Sequence, residues 1–523
     1  MDSEQDTLPG ADGAGDATDT LNLDTLRSHL WEAADIMRGS IDSADYKNYI
    51  FGLMFLKRLS DRFEEEAEEY IDQGIDEDIA YTDEDLHEFY IPDRARWDHI
   101  REQSTDIGAT IQKALEAVEN ENDTIEERVL TSVDFNDKER LPDDMLDELV
   151  THFDKLNLRN ENLDDPDIFG RAYEYLIRQF ADDAGKKGGE FYTPREVVQL
   201  IVECVDPQPG HRVYDPCCGS GGMLIYSAYH IREHGGRMDQ ISLYGQERNL
   251  NTWAIGEMNM LLHGLPGEEI AKGNTMTEPK FKDPASGGLM QFDRVIANPM
   301  WNQKKWDKEW IEDNEPYNRF PHGLPPKNRG DWAWVQHMLA SLNKTGKAGV
   351  VMDNGVLFRS RSEGSIRQSV LEDDLVETVI ALPENLFYNT SSPGCILILN
   401  KDKSEDRKEK VQFIYAEDQE LRESGVRVFE ELSNQNELTD EGVAYIAETY
   451  QQGREENHHS RLVDLDEIEE NDWNLNVPRY VDTTEPEEPI DVSEKLRELD
   501  ELEQERRETD EKLQQYMEEL AYR

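Results

Sequence analysis

Apolar residues return every three or four positions from Leu23 onward. Leu23, Leu26, Leu30, Ala33 and Met37 share one face, which predicts a helix that Gly39 ends. A second helix carries Tyr46, Ile50, Leu53 and Phe63 on one stripe, and Met54, Phe55 and Leu56 widen it. A stripe that broad belongs to a helix buried on more than one side. Helical, very acidic sequence continues to about residue 160 without strand-like alternation. The pattern changes after Pro166. Ile168 to Phe180 reads as a helix and Gly185-Lys-Lys-Gly-Gly189 as a loop. Short apolar runs then alternate with helical stretches, at Arg212–Tyr214, Leu243–Gln246, Arg294–Ala297, Gly349–Met352, Val376–Leu382 and Cys395–Leu399. That order predicts an α/β fold of βαβ units, with a mostly parallel sheet and helices on both faces. Thr483-Thr-Glu-Pro-Glu-Glu-Pro489 reads as a linker. Beyond it Leu499, Leu502, Leu513, Tyr516 and Leu520 fit a three-four spacing interrupted by Arg506 and Thr509. This predicts a single coiled-coil-like helix whose narrow apolar stripe needs a partner surface.

Charge changes this picture more than length does. The chain has 523 residues, enough for several domains and a large core, and 37% of them are hydrophobic. Lys and Arg number 55 against 115 Asp and Glu, a formal net charge of −60. Such a charge opposes association with DNA phosphates. In a salt-rich cytoplasm the repulsion is muted, since the Debye length is about 3 Å at 1 M. The motifs below favour that condition. Residues 1–20 hold six acids and no base, so 1–22 is read as a disordered acidic tail. The expected divisions are then a helical domain over 23–160, an α/β domain over 161–482, and a linker with a helix over 483–523. Cysteines at 204, 217, 218 and 395 form no CxxC pair, and the histidine spacing suggests no zinc site, so no metal is expected. No apolar run reaches the roughly 18 residues of a membrane span, and no basic-then-apolar leader is present, which predicts a cytoplasmic protein.

Two clusters carry chemistry. Val213-Tyr-Asp-Pro-Cys-Cys-Gly-Ser-Gly-Gly222 runs from a strand through a glycine-rich turn into a helix. Glycines let the backbone approach a ligand, and open α/β sheets bind ligands beyond the carboxyl ends of their strands. A dinucleotide site would want GxGxxG and an acid about 20 residues on. Here the glycines stand at 219, 221 and 222, and the next strand ends in Gly245-Gln-Glu247, 32 residues after Asp215. Glu247 has two carboxylate oxygens with which to accept from a pair of ribose hydroxyls. The second cluster is Ala297-Asn-Pro-Met-Trp301, at a strand end about 80 residues downstream. An exocyclic amine is a poor nucleophile because its lone pair is delocalised into the ring. The side-chain oxygen of Asn298 and the backbone carbonyl of Pro299 offer two acceptors for its hydrogens, and Trp301 offers a surface for a base drawn out of a duplex.

Together the clusters resemble the amino-methyltransferases of DNA, whose catalytic motif reads Asn/Asp-Pro-Pro-Tyr/Phe/Trp and whose cofactor loop reads like Asp215-Pro-x-Cys-Gly-Ser-Gly. Met300 stands where that motif has its second proline. Further segments resemble one family, the modification subunits of type I restriction systems. They are Asp45-Tyr-Lys-Asn-Tyr-Ile50, Leu56-Lys-Arg-Leu-Ser-Asp61, Phe169-Gly-Arg-Ala-Tyr-Glu-Tyr-Leu-Ile177, Gly189-Glu-Phe-Tyr-Thr-Pro-Arg195, Leu382-Pro-Glu-Asn-Leu-Phe-Tyr388 and Trp473-Asn-Leu-Asn-x-x-Arg-Tyr480. The resemblance covers about residues 23–523. It implies a Rossmann-like methyltransferase fold that uses S-adenosylmethionine to methylate adenine N6 in DNA. Glu190, Phe191, Tyr192, Thr193, Pro194 and Arg195 would lie over the cofactor's methionine end. Asp215, Cys218, Gly219, Ser220, Gly221 and Gly222 would form its loop, and Asn274 would contact its adenine. The segments 382–388 and 473–480 would be late sheet elements. Implied partners are DNA, a specificity subunit that reads bases, and a motor-nuclease subunit, with two copies of this chain flanking one specificity subunit.

Rival readings differ in class. A C5-cytosine enzyme would need a Pro-Cys nucleophile, yet Pro216-Cys217 lies inside the cofactor loop, so Cys217 and Cys218 are read as packing residues. RNA and protein-glutamine methyltransferases also use Asn-Pro-Pro motifs, but compact ones leave the long helical domain and the last helix unexplained. A non-catalytic scaffold would not need Asp215, Gly219, Gly221, Glu247, Asn298, Pro299 and an aromatic at 301 together. Lys304, Lys305, Lys308, Arg319, Lys327, Arg329, Arg359 and Arg361 gather near the expected pocket, interrupted by acids from Asp307 to Glu315.

Overall fold

The structure is a computed structural model. It describes residues 20–41, 43–125, 127–163, 168, 172, 175, 193–265, 269–387, 390, 392–432, 435–484 and 492–520. The chain forms two compact units, Met1–Val481 and Asp482–Arg523.

The first unit opens with α1 (Leu23–Met37) and α2 (Ser43–Asp72). Asn22 caps α1: its side chain accepts from the Thr25 amide at 2.9 Å. Leu21 donates to the Asn162 carbonyl at 2.6 Å, so the last residues assigned to the acidic tail are tied down. Composition alone missed this because an N-cap asparagine looks like any other polar tail residue. Leu26, Leu30, Ala33 and Met37 are buried, and so are Phe51, Leu53, Met54, Phe55 and Leu56, as the broad stripe predicts. Helices α3 (Ile107–Glu121) and α4 (Asp143–Asp154), with shorter helical turns, complete this region.

Among the described residues eleven strands follow: β1 (Arg212–Asp215), β2 (Ser242–Glu247), β3 (Glu269–Lys272), β4 (Phe292–Ala297), β5 (Leu342–Asp353), β6 (Val376–Ala381), β7 (Gly394–Asn400), β8 (Lys410–Tyr415), β9 (Phe429–Glu431), β10 (Asn436–Leu438) and β11 (Ser460–Asp464). Nine form one sheet in the order β11-β8-β6-β7-β5-β4-β1-β2-β3, and β9 pairs with β10 separately. The pairs from β3 across to β5, and β6 with β8, are parallel, while β7 and β11 run antiparallel to their neighbours. Along the central strands neighbouring residues serve opposite cores. Val213, Ile296, Val351 and Ile380 join the core shared with α1 and α2, and Tyr214, Val295, Val350 and Val379 join the other. Burial on both faces is why these strands read as continuous apolar runs rather than alternating ones.

The interleaved helices are α5 (Arg195–Val205), α6 (Gly222–Glu233), α7 (Leu250–Leu262), α8 (Lys308–Asn314), α9 (Asp331–Ser341), α10 (Ser362–Glu372), α11 (Asp440–Gln452) and α12 (Leu465–Glu470). Two segments expected as late sheet elements are not strands. Leu382–Phe387 is a loop after β6, and residues 473–480 form turns around a short helical turn, Val477–Arg479. Tyr480 stacks on Phe413 of β8 with centroids 4.1 Å apart, so its apolar signal reports packing against the sheet rather than membership of it. The helix expected over 168–180 and the loop 185–189 lie outside the described residues, apart from isolated positions. The second unit contains α13 (Val492–Glu519). Its Leu499, Leu502, Leu513, Tyr516 and Leu520 are all exposed.

β1 positions the site. The chain runs from β1 outward through β2 to β3, then returns to place β4 on the other side of β1. Loops leaving the carboxyl ends of two strands that diverge this way open a crevice between them. The glycine turn leaves β1 and the Asn-Pro loop leaves β4, with Tyr214 paired to Val295. Two motifs 80-odd residues apart in sequence thus meet at one edge.

Candidate active site

The turn after β1 is held by its own residues and by the end of β2. The Asp215 carboxylate accepts from the Cys217 amide at 2.9 Å, and Cys218 donates to the Gln246 carbonyl at 3.1 Å. Gly219 donates to Glu247 at 3.2 Å, and the other oxygen of Glu247 accepts from Asn249 at 2.7 Å. Gly219 and Gly221 have φ of 56° and 80°, a region that disfavours side chains. A Cβ would meet nothing within 4 Å at Gly219 or Gly222, so these two open onto the cleft. At Gly221 it would instead meet the Met260 sulfur at 3.4 Å. Gly221 is therefore a cap of α6 turned toward α7, not a wall of the ligand space.

Asp215 is 2% exposed. Burial pushes its carboxyl up to about 7; the nearby Glu247 charge also raises it, and the Cys217 amide acts the other way. The thiols of Cys217 and Cys218 are held well above their ordinary range, first by burial and then by Asp215 and Glu247. They are neutral thiols, and both line the cleft beside Asp215.

The loop after β4 is held by side chains from elsewhere. Asn298 Nδ2 donates to Thr193 Oγ1 at 2.9 Å. The Trp301 indole Nε1–H donates to Asn298 Oδ1 at 3.1 Å and to the Val351 carbonyl at 3.3 Å. An indole N–H can only donate, so it fixes which end of the Asn298 amide is oxygen and leaves that oxygen a second lone pair. Trp301 is half-buried and packs edge-on against Phe387, centroids 4.8 Å apart. Asn302 donates its amide to the buried Asp331 at 2.8 Å, and Asp331 pairs with Arg359 at 3.2 Å. Pro299 is buried and Met300 exposed.

One cleft gathers Thr193, Arg195, Asp215, Cys218, Gly219, Ser220, Gly222 and Asn298 from among the expected site residues. Pro194 caps α5 behind it. Glu190, Phe191 and Tyr192 lie outside the described residues. The Asn274 side chain is held at both ends: its Nδ2 donates to Asp307 at 2.8 Å and its oxygen accepts from the Met276 amide at 3.1 Å. Several of the basic residues near the pocket prove structural. Arg319 is fully buried and donates to the Thr275 carbonyl and Glu315, both at 3.0 Å. Arg359 is bound by Asp331 and Asp353, and Arg329 pairs with Glu363 at 3.5 Å. Lys304, Lys305 and Arg361 remain exposed.

Sequence reasoning placed Thr193 at the cofactor rather than beside Asn298, and it missed Val351 and Phe387 as partners of Trp301, which no local spacing links to this loop. It also missed Gly256 of α7, where a Cβ would stand 2.9 Å from the Gly219 carbonyl. A lone glycine inside a helical run was the available signal.

Residues 164–489 match the N-6 DNA Methylase family, and residues 26–153 match the HsdM N-terminal domain. The chain belongs to the type I restriction enzyme methylase subunits. It is 35% identical over 507 residues to the type I restriction enzyme MjaVII methylase subunit of Methanocaldococcus jannaschii, covering 93% of this chain and 82% of that one. It is 32% identical over 446 residues to the HindI methylase subunit of Haemophilus influenzae, covering 78% and 94%. Its fold is similar to the crystal structure of a type I restriction-modification methyltransferase subunit from Streptococcus thermophilus. That likeness has a TM-score of 0.76 at 29% identity and covers 88% of this chain and all of that one. The methylase subunit is thus an N6-adenine DNA methyltransferase of class I fold, and the RNA and protein-glutamine readings gain no support. No described helix is long and apolar enough to cross a membrane.

Proposed function

We propose that this methylase subunit transfers the methyl group of S-adenosylmethionine to adenine N6 at specific DNA sites, with Asn298, Pro299 and Trp301 as its catalytic residues. The carrying observation is that an Asn298 amide of fixed orientation stands on the same cleft as the glycine loop. When bound, S-adenosylmethionine supplies an electrophilic methyl on a sulfonium. The cleft fits such a donor: Gly219 and Gly222 leave room, Asp215 can face a cationic end, and Arg195 a carboxylate. Glu247 keeps lone pairs for the ribose hydroxyls, while Cys218, Ser220 and Gly221 shape the loop and Thr193, Pro194 and Arg195 border the methionine end. Asn274, whose side chain is held by Asp307 and the Met276 amide, would border the cofactor's adenine.

Asn298 Oδ1 and the Pro299 carbonyl accept the two hydrogens of the amine. That draws the nitrogen lone pair out of ring conjugation and offers the departing proton an acceptor as the N–C bond forms. Trp301, fixed at its nitrogen by Asn298 and Val351, presents its ring to an extruded base. The helical region 23–160, the catalytic region 161–482 and the tail 483–523 divide the work, a division supported by the matches at 26–153 and 164–489. The exposed stripe of α13 would dock a specificity subunit, and two methylase subunits with a motor-nuclease subunit would complete the enzyme. A net charge of −60 points to a salt-rich cytoplasm, where its repulsion of DNA is muted.

The test is methyl transfer to duplex DNA in molar potassium chloride, with and without the specificity subunit, followed by mapping of modified bases. N6-methyladenine at one recurring sequence is expected. Modified cytosine, or labelled RNA or protein instead of DNA, rejects the reading.

A further inference from the structure

Away from the cleft, at the carboxyl-terminal ends of α5 and α6, a second polar cluster has no place in the mechanism above. His230 and His234 lie one turn apart, and Glu203 of α5 faces them. One ligand atom from each of the three lies within 4.8 Å of the others. His230 Nε2 meets Asp206 Oδ1 at 3.0 Å, and its Nδ1 faces Glu203 Oε1 at 3.2 Å. His234 Nδ1 meets the His230 carbonyl at 2.8 Å. That carbonyl can only accept, so His234 carries its hydrogen on Nδ1 and keeps a lone pair on Nε2.

We propose that Glu203, His230 and His234 bind a divalent transition-metal ion, Zn²⁺ by the chemistry of its donors, and so clamp α5 to α6. Two imidazoles and one carboxylate at this spacing are a borderline-soft set that suits zinc and its neighbours rather than magnesium or calcium. The surrounding bonds are those that metal-binding histidines use. Each ring has a fixed acceptor at one nitrogen, Asp206 for His230 and a backbone carbonyl for His234, which fixes the ring's orientation. The hydrogen between His230 and Glu203 stands where the ion would replace it. An open cleft of about 390 Å³ adjoins the cluster, with Glu233, Asp440 and Glu448 on its wall beside Glu203 and His230. It offers negative potential, an entry path and room for a water as fourth ligand. No local spacing points to this cluster, because Glu203 and Asp206 lie 24 or more residues upstream of His230.

The clamp also has a mechanical consequence. α5 begins at Arg195, just after Thr193, and α6 begins at the glycine loop. Joining their far ends restrains both walls of the cofactor cleft.

The test uses the full, tag-free chain stripped with a chelator, in molar potassium chloride with excess magnesium to saturate carboxylate-only sites. Zinc is titrated by calorimetry, and cobalt by its visible absorption. One equivalent of zinc per chain is expected, with a rise in melting temperature and a cobalt spectrum of a nitrogen-containing site. His234→Ala, at an exposed helix end where folding is not at stake, and Glu203→Gln should each weaken binding at least about tenfold. Asp206→Asn should weaken it by about tenfold to a hundredfold. A separate trio, His29, Glu32 and His152, also lies within 4.8 Å. Loss of the zinc equivalent in His29→Ala with retention in His234→Ala overturns the proposal, as does the absence of any equivalent that survives magnesium.

Discussion

The loop at 215–222 is fixed by contacts within the loop and to the next strand: Asp215 to Cys217, Cys218 to Gln246, Gly219 to Glu247. The loop at 298–303 is fixed by side chains and carbonyls from four remote segments: Thr193, Asp331, Val351 and Phe387. The first keeps an empty cradle and needs glycine for it. The second must hold one amide in one orientation, which needs partners on both ends of that amide. Cofactor binding and amine activation should therefore fail separately, and variants can test how separate they are.

The largest effect is expected for Asn298→Ala. Methyl transfer should fall by about a thousandfold, the scale of losing a transition-state hydrogen-bond partner, while cofactor affinity stays within a few-fold. Single-turnover radiolabel transfer and calorimetry measure the two. Near-normal transfer would break the assignment of the second loop.

Glu247→Ala acts on the first loop. It removes a charged acceptor for the ribose and the anchor of Gly219, so cofactor affinity should fall about tenfold to a hundredfold, as loss of roughly 1.5–3 kcal/mol implies. Transfer at saturating cofactor should change far less. Equal losses in both quantities would show that the loops are not separable.

Asp215 adds a pH dependence to the first loop only. Its carboxyl, pushed up to about 7 by burial, is mostly neutral at pH 6 and mostly ionised at pH 8. A cationic cofactor favours the ionised form, so affinity should rise with pH through 7, by up to about tenfold per unit below that value. Asp215→Asn should flatten the profile. A flat profile in the unaltered protein would mean that Asp215 does not face the cationic end.

Thr193→Val sharpens the comparison from the second loop. It removes the acceptor of Asn298 Nδ2, worth about 0.5–1.5 kcal/mol or roughly two- to tenfold. The drop should appear in kcat, with KM for the cofactor unmoved. If KM alone changes, Thr193 belongs to the cofactor site, as first read from the sequence. Smallest is Gly221→Val. A φ of 80° penalises a side chain by about 1–2 kcal/mol, so the melting temperature should fall by a few degrees. Because that position faces Met260, its effect on cofactor affinity should be smaller than that of Glu247→Ala.

The same contrast separates what was legible from what was not. The strands at 212–214, 243–246, 294–297, 349–352, 376–382 and 395–399 were readable because burial on both faces leaves unbroken apolar runs. α1 and α2 were readable because their faces repeat with the helical period. The glycine loop was readable because its demands are local: a tight turn, a close approach and an acid at the next strand end. By contrast, the segments 382–387 and 473–480 were expected as late sheet elements from the resemblance alone, and they are a loop and turns whose Leu382, Leu386, Leu475 and Tyr480 are buried. Arg319 and Arg359 read as basic residues near the pocket, but Glu315 and the buried Asp331 bind them.

The sequence by itself thus determined the α/β architecture, the glycine turn after β1, the Asn-Pro loop after β4 and the family of the methylase subunit. Periodicity and local backbone chemistry act over a few residues and leave their mark in order along the chain. Only the tertiary structure decided that Thr193 and Trp301 grip opposite ends of the Asn298 amide, that Gly221 faces Met260, and that Glu203 stands against His230. Those partners lie between 3 and 105 residues apart, and what brings them together is the order in which β1 and β4 pair and the packing of helices on the sheet. Strand order and helix packing are fixed by the summed burial of the whole core, which no single stretch of sequence encodes.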